Sequence, residues 1–170
     1  MTKKANDNPL RIILVGASGR MGQEIIKLAA AAPTLKIVGS LDEKSSWNSV
    51  SDKKPDVVID FSSPAGCLEA AEWCAKKKTP LVSGTTGLSP QDLAALKKLS
   101  QKTAVLWSPN MSLGVNILSE VLAQFAGKFS DAEVEIEEIH HVHKKDKPSG
   151  TAKLLKESIE KSGGQNLRVR

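Results

Sequence analysis

The feature that most limits what this chain can fold into is a junction near its start. Arg11-Ile-Ile-Leu-Val15 is a continuous aliphatic run, the mark of a strand covered on both faces. It leads directly into Gly16-Ala-Ser-Gly-Arg-Met-Gly22, and a helix follows with Ile25, Leu28, Ala29 and Ala32 at helical spacing. A buried strand, a glycine-rich turn and a helix, in that order, form the setting in which a dinucleotide lays its pyrophosphate on a helix N-terminus. The glycines run G-x-x-G-x-x-G, a variant of the usual G-x-G-x-x-G. Gly16 serves the tight turn, Gly19 lets backbone approach the pyrophosphate, and Gly22 lets the helix pack closely on the strand. A lone glycine pattern also suits an ordinary turn; the strand before it and the helix after it favour the dinucleotide.

The chain then alternates in the same way. Lys36–Leu41 reads as a second strand ending at Asp42, about 20 residues past Gly22, where an acid accepts hydrogen bonds from the adenosine ribose. A solvated loop carboxylate is the alternative reading. Glu43 adds a second negative charge, which repels a 2′-phosphate and favours NADH over NADPH, with only Lys44 to offset it. Residues 45–55 form a polar link with room for a turn or two of helix. Asp56–Asp60 is a third strand, Ala65–Lys77 a helix, and Pro80–Ser83 a fourth strand ending in Gly84-Thr-Thr-Gly87. Ser89-Pro90 caps a helix to about Gln101, and Thr103–Trp107 is a fifth strand. This alternation predicts an α/β fold, a Rossmann-like doubly wound parallel sheet over residues 10–128. Loops at the carboxyl ends of such strands line the ligand crevice, which makes Gly84, Thr85 and Thr86 candidates to face a flat ring such as nicotinamide, although the bare tetrapeptide suits a simple turn equally well.

A helix from Gly114 to about Phe125 is expected to bury Val115, Leu118, Val121, Leu122 and Phe125. After it the pattern changes. Val134 and Ile136 alternate with Glu133, Glu135 and Glu137, a strand with one wet face of the antiparallel or mixed kind. Residues 129–170 are therefore expected to begin an α+β substrate domain. Its helix runs from Thr151 to about Lys161, with Ala152, Leu155 and Ile159 on one side, and Gly163-Gly164 ends it. Residues 1–9 are polar and expected to be disordered.

The chemistry-bearing side chains crowd into residues 138–152. All three histidines of the protein, His140, His141 and His143, lie there, followed by Lys144, Lys145 and Lys147 and then by Ser149-Gly-Thr151 at a helix start. Imidazole and ammonium groups supply hydrogen bonds and positive charge, and the helix N-terminus offers free backbone N–H groups to a carboxylate. Together they suit a small, multiply charged anion. Repulsion among neighbouring cations makes such a lysine a better proton donor, without choosing between Lys144, Lys145 and Lys147. A metal site is not expected, since neither a Cys nor a Glu-x-x-His partner accompanies the histidines. A solvated cluster is the plain alternative.

Composition narrows the partners. The net charge of +5 comes from 24 basic and 19 acidic residues, scattered apart from Lys76–Lys78 and the Lys144–Lys147 group. No aromatic platform lies beside either cluster, so acidic small molecules fit better than nucleic acid. Cys67 and Cys74 fall on one helix face, too far apart for a disulfide, and read as small apolar filler in a reducing compartment. The aliphatic run 10–15 is too short for a signal peptide or a membrane span, so a cytoplasmic protein with no membrane partner is expected.

Five ordered stretches carry a resemblance: Gly16-Ala-Ser-Gly-Arg-Met-Gly22, Ile59-Asp-Phe-Ser-Ser-Pro64, Gly84-Thr-Thr-Gly87, Asn110-Met-Ser-Leu-Gly-Val-Asn116 and His140-His-Val-His-Lys-Lys-Asp-Lys-Pro-Ser-Gly-Thr-Ala152. Over residues 10–160 the chain resembles the dihydrodipicolinate reductase (4-hydroxy-tetrahydrodipicolinate reductase) family of lysine and diaminopimelate synthesis. The resemblance implies NAD(P)H-dependent reduction of 4-hydroxy-tetrahydrodipicolinate to tetrahydrodipicolinate, with loss of water and hydride entry at ring C4. It makes Lys144 the proton donor and His140 its catalytic neighbour. It assigns the substrate carboxylates to His141, Lys144, Ser149, Gly150 and Thr151. Arg20, Met21 and Asp42 fall to the adenosine half of the cofactor. Phe61, Gly84, Thr86 and Asn110 fall to the nicotinamide side, with Thr85 and Met111 beside them.

Two departures from that pattern matter. Family members often carry an Arg just before the Pro of the Asp-Phe motif, suited to a 2′-phosphate; Ser63 stands here, which again favours NADH. The family's substrate domain also continues for several more strands, which build a homotetramer contact and close the substrate site. The sequence to Arg170 suggests none of them, as expected of a short natural form or of a fragment; the resemblance implies a homotetramer, and the length of this chain speaks against it. A non-catalytic NAD(H)-binding module is the competing reading on that ground. A dehydrogenase for another small acid is a third, which the stretch 140–151 disfavours.

Overall fold

The structure, a computed structural model, describes residues 8–129, 132–139, 148–163 and 167–169. The predicted disorder of residues 1–9 lies almost wholly outside them. The chain divides after Ser108 into two compact units.

The first unit contains β1 (Leu10–Val15), α1 (Arg20–Ala31), β2 (Leu35–Leu41), β3 (Val57–Asp60), α2 (Pro64–Lys77), β4 (Leu81–Ser83), α3 (Pro90–Leu99) and β5 (Val105–Trp107). All five strands pair parallel, in the order β2-β1-β3-β4-β5. A single turn of 3-10 helix, Trp47–Val50, stands between β2 and β3 and is capped by Ser46. The chain leaves β1 toward β2 and then returns to lay β3 on the other side. That reversal is the topological switch point, beyond whose strand ends ligands bind in folds of this kind.

Sequence explains the packing. Ile12, Ile13 and Leu14 of β1 are at most 2% exposed, as expected of a strand buried on both faces. Helix α2 meets the sheet through Cys67, Ala70, Ala71 and Cys74, all fully buried and spaced as one helical stripe. These small side chains allow helix and sheet to approach closely, which is the structural use of both cysteines. Ser63 and Ser89 cap α2 and α3, and Ser89 closes a capping box with Asp92. One element differs from expectation. Of the apolar residues spaced along α1, Ala29 is buried as expected but Leu28 is 66% exposed, and Gly22 is buried beside the turn.

The second unit contains α4 (Leu113–Phe125), a 3-10 turn at Ala126–Phe129, β6 (Val134–Ile136), α5 (Gly150–Lys161) and β7 (Leu167–Val169). It begins well before the expected boundary at residue 128, because α4 packs against α5, where the Ser119 and Ser158 hydroxyls meet at 2.7 Å. No residue of α4 is buried, and Leu118, Val121 and Phe125, expected in a core, are each about half exposed. The alternating strand is also corrected. Where an antiparallel or mixed sheet was expected, β6 pairs parallel with β7, a strand that the sequence did not suggest. With α5 as the crossover the two form a β-α-β unit.

Candidate active site

In the first unit the glycine turn sits at the switch point as a tight backbone cradle. Gly16 has φ +80°, a conformation that favours glycine, and its N–H donates to the Leu41 carbonyl at 2.8 Å. A Cβ at Gly16 would stand 2.3 Å from the Phe61 carbonyl oxygen, so the loops after β1 and β3 touch here without room for a side chain. Gly19 is the N-cap of α1 and provides no side-chain cap. The first N–H groups of α1, at Arg20, Met21 and Gly22, have no intrahelical acceptor, and no side-chain cap takes them at Gly19, the setting in which a helix N-terminus receives an anion. Gly22 is buried against the turn, where a Cβ would lie 2.2 Å from the Gly16 carbonyl oxygen. Arg20 and Met21 are exposed beside it.

A cavity of about 440 Å3 opens from this turn between β2 and α2. Asp42 lies on it, at the end of β2. Its Oδ1 accepts hydrogen bonds from the Ser18 N–H at 2.9 Å and the Ser18 hydroxyl at 2.8 Å, which fixes the carboxylate beside the glycine turn. Oδ2 has no partner among the described residues, leaving an acceptor for a sugar hydroxyl. Glu43, Glu69, Ser63 and Trp47 line the same cavity, and no Lys or Arg does among the described residues. Trp47 is held by stacking on Trp73, ring centres 5.0 Å apart. Phe61 also lines the cavity, and a Cβ at Gly84 would stand 2.1 Å from its ring, so Gly84 is where the ring rests. Thr86 is exposed, whereas Thr85 is 2% exposed with its hydroxyl turned inward to Asp60 at 2.8 Å. The candidate contact at Thr85 is thus backbone, and its side chain is support.

The second unit gathers another set. Ser149 is the N-cap of α5, its hydroxyl accepting from the Ala152 N–H at 3.1 Å, while its own N–H donates to Glu138 Oε1 at 2.9 Å. Gly150 and Thr151 open the helix, where backbone N–H groups lack intrahelical acceptors. The Asn110 amide donates to the Thr151 hydroxyl at 2.7 Å. A residue expected beside nicotinamide and one expected beside a substrate carboxylate are therefore neighbours. Met111 is 41% exposed. His140, His141 and Lys144 lie outside the described residues, as do His143, Lys145 and Lys147.

Two family models match the chain, the dihydrodipicolinate reductase N-terminus over residues 10–111 and the dihydrodipicolinate reductase C-terminus over residues 114–169. The chain belongs to the dihydrodipicolinate reductase family. Curated relatives named 4-hydroxy-tetrahydrodipicolinate reductase include that of Xanthomonas euvesicatoria pv. vesicatoria, 41% identical over 92% of this chain and 71% of that protein. The Bdellovibrio bacteriovorus relative is 44% identical over 93% of this chain and 69% of its own length. A dipicolinate-bound dihydrodipicolinate reductase from Paenisporosarcina sp. TG-14 superposes with TM-score 0.73 at 27% identity, covering 89% of this chain and 65% of that one. The chain thus spans about 70% of the curated relatives' length and less of the solved one's. A WlbA dehydrogenase described with NADH and UDP-GlcNAcA is 12% identical with TM-score 0.58 and shares the fold alone.

Membership in the dihydrodipicolinate reductase family makes the chain an oxidoreductase of the lysine and diaminopimelate pathway, with an NAD(P)-binding Rossmann domain. Neither the non-catalytic module nor a dehydrogenase for another acid is favoured. Among the described residues no helix is long and apolar enough to cross a membrane.

Sequence reasoning missed five residues at or beside the site. Ser18 was hidden inside the glycine motif as a variable position. Trp47 did carry a signal, as a large aromatic in an otherwise polar link. Glu69 carried none, since helix register alone brings it to the cavity. Asp60 stood in plain view as the polar end of an aliphatic strand, and its partner Ser83 likewise ends β4.

Proposed function

We propose that this chain binds NADH on the first unit and reduces 4-hydroxy-tetrahydrodipicolinate on the stretch that runs from His140 to Thr151. The observation that carries the cofactor half is the uncapped N-terminus of α1, set behind a turn into which no Cβ fits. The pyrophosphate takes the N–H groups of α1 at Arg20, Met21 and Gly22, and the free Oδ2 of Asp42 takes the adenosine ribose. Asp42, Glu43 and Glu69 around the cavity oppose a 2′-phosphate, which supports NADH over NADPH. Trp47 offers a flat apolar wall of the kind a purine stacks on. A reduced nicotinamide, when bound, supplies the hydride.

The residues of the second unit bind and orient the acid. The N–H groups of Gly150 and Thr151, with the positive end of the α5 dipole, receive a substrate carboxylate. His141 and Lys144 add positive charge and donors to the same dicarboxylate. Lys144 gives the proton that completes the reduction, with His140 beside it. Lys144→Ala tests the assignment. NADH binding by the variant is expected to match that of the unaltered chain while turnover falls by at least a hundredfold, on the order of what a positioned general acid contributes. Undiminished turnover would remove Lys144 from the chemistry.

A further inference from the structure

We propose that Asp60 is a positioning residue for the nicotinamide end of the cofactor site, a role that rests on the cofactor reading above. Asp60 ends β3 and is fully buried. Its Oδ1 accepts from the Ser62 N–H at 3.1 Å and from the Ser62 hydroxyl. Its Oδ2 accepts from the Ser83 hydroxyl at 2.6 Å and the Thr85 hydroxyl at 2.8 Å. One carboxylate therefore ties the loop after β3 to the loop after β4. The clasp is reinforced in the backbone, where the Gly84 N–H donates to the Asp60 carbonyl at 2.9 Å.

The protons leave little freedom. The Thr85 hydroxyl already accepts the Ser62 N–H at 2.9 Å, and the Ser83 hydroxyl accepts the Thr85 N–H at 3.3 Å. Each hydroxyl's remaining proton needs an acceptor, and a carboxylate is acceptor-only on both oxygens. An amide in its place offers one accepting oxygen and turns an NH2 toward two donors. No Lys or Arg contacts Asp60 among the described residues, so the cluster is held by hydrogen bonds alone.

What the clasp holds is the pair of loops that carry Phe61 and Gly84. The ring of Phe61 rests on the Gly84 backbone, and the Thr85 carbonyl accepts from the Trp107 indole at 2.9 Å. Loosening Asp60 releases both loops together; the loop after β3 also borders the glycine turn and the Asp42 cavity, whereas the loop after β4 does not line that cavity, and Asp42 itself stays held by Ser18. The expected effect is thus larger at the nicotinamide end, where both loops meet, than at the adenosine end, which only one of them borders.

The test compares NADH with ADP-ribose, which retains adenosine, pyrophosphate and ribose but lacks nicotinamide. Both are titrated into the full chain, into Asp60→Asn and into Ser83→Ala. The unaltered chain is expected to bind NADH more tightly than ADP-ribose. Asp60→Asn should lower NADH affinity at least tenfold, change ADP-ribose affinity less than twofold, and diminish the fluorescence enhancement of bound nicotinamide. Ser83→Ala, which removes one donor from the clasp, should act in the same direction more weakly, and carries the test alone should Asp60→Asn fail to fold. Equal losses for both ligands, or none for either, would overturn the positioning role while leaving the cofactor reading intact. Failure of the unaltered chain to bind either ligand would overturn the cofactor reading, and this role with it.

Discussion

Gly22→Ala and Gly114→Ala add the same methyl group to two helices and should act in opposite directions. At Gly22 the added Cβ would stand 2.2 Å from the Gly16 carbonyl oxygen, 2.6 Å from the Ala17 oxygen and 2.7 Å from the Ala17 Cα. All three are backbone atoms, so no rotamer change relieves them. Restoring ordinary contact at 3.4 Å requires α1 to retreat from the turn by about 1.2 Å, the difference between 3.4 and 2.2 Å. Overpacking of this kind costs about 1–3 kcal/mol. Alanine's better helix propensity offsets roughly 0.4–1 kcal/mol of that. A net loss on the order of 1–2 kcal/mol is expected, and a misplacement near 1 Å at the helix N-terminus should lower kcat/KM on the order of a hundredfold. At Gly114 nothing lies within 4 Å of the added Cβ. There the propensity gain stands alone, and stability should rise by about 0.5 kcal/mol. Trp47, Trp73 and Trp107 all precede the division after Ser108, so urea unfolding followed by tryptophan fluorescence reads the first unit. Hydrogen exchange in α4 reads the second. A Gly22→Ala chain as stable as its parent, with unchanged NADH affinity, would refute the close approach of α1 to the turn.

Gly84→Ala should push the Phe61 ring aside, since the new Cβ would meet it at 2.1 Å; at about 1–3 kcal/mol this is roughly fivefold to a hundredfold in NADH affinity by titration, and an unchanged affinity would separate the ring from the site. Burial pushes the Cys67 thiol up to about 11 and the Cys74 thiol up to about 12 from an ordinary value of 9.0. The folded chain holds these protons more tightly than the unfolded one, so their contribution is complete below pH 9 and is lost as pH rises through about 11 and 12. Urea midpoints should fall over that window, less steeply in Cys74→Ala, and a thiol reagent at pH 8 should label neither cysteine until denaturant is added. Rapid labelling of the native chain would contradict their burial.

The first unit was legible because its signals are local. Each strand is an aliphatic run of its own, α2 and α3 each start at a Ser followed by Pro, and the glycine turn joins β1 to α1 in sequence as in space. The second unit was less so. The exposure of Leu118, Val121 and Phe125 depends on what packs against α4, and helical periodicity cannot supply that. The strand β7 is three residues long and gains its identity only by pairing with β6 across α5. Within the site the same division holds. Gly16, Gly22 and Asp42 follow from spacing, whereas the Asp60 clasp joins β3 to β4 and the link between Asn110 and Thr151 joins residues far apart in the chain.

An NADH-dependent reductase is recognised by following NADH oxidation by the purified chain. The substrate is generated in place by the preceding synthase, with NADPH run in parallel and a control lacking the synthase. Oxidation that requires the synthase and runs faster with NADH than with NADPH is the predicted result. Absence of synthase-dependent oxidation with either nucleotide would contradict the reductase reading of this chain, and a clear preference for NADPH would contradict the role given to Asp42, Glu43 and Glu69.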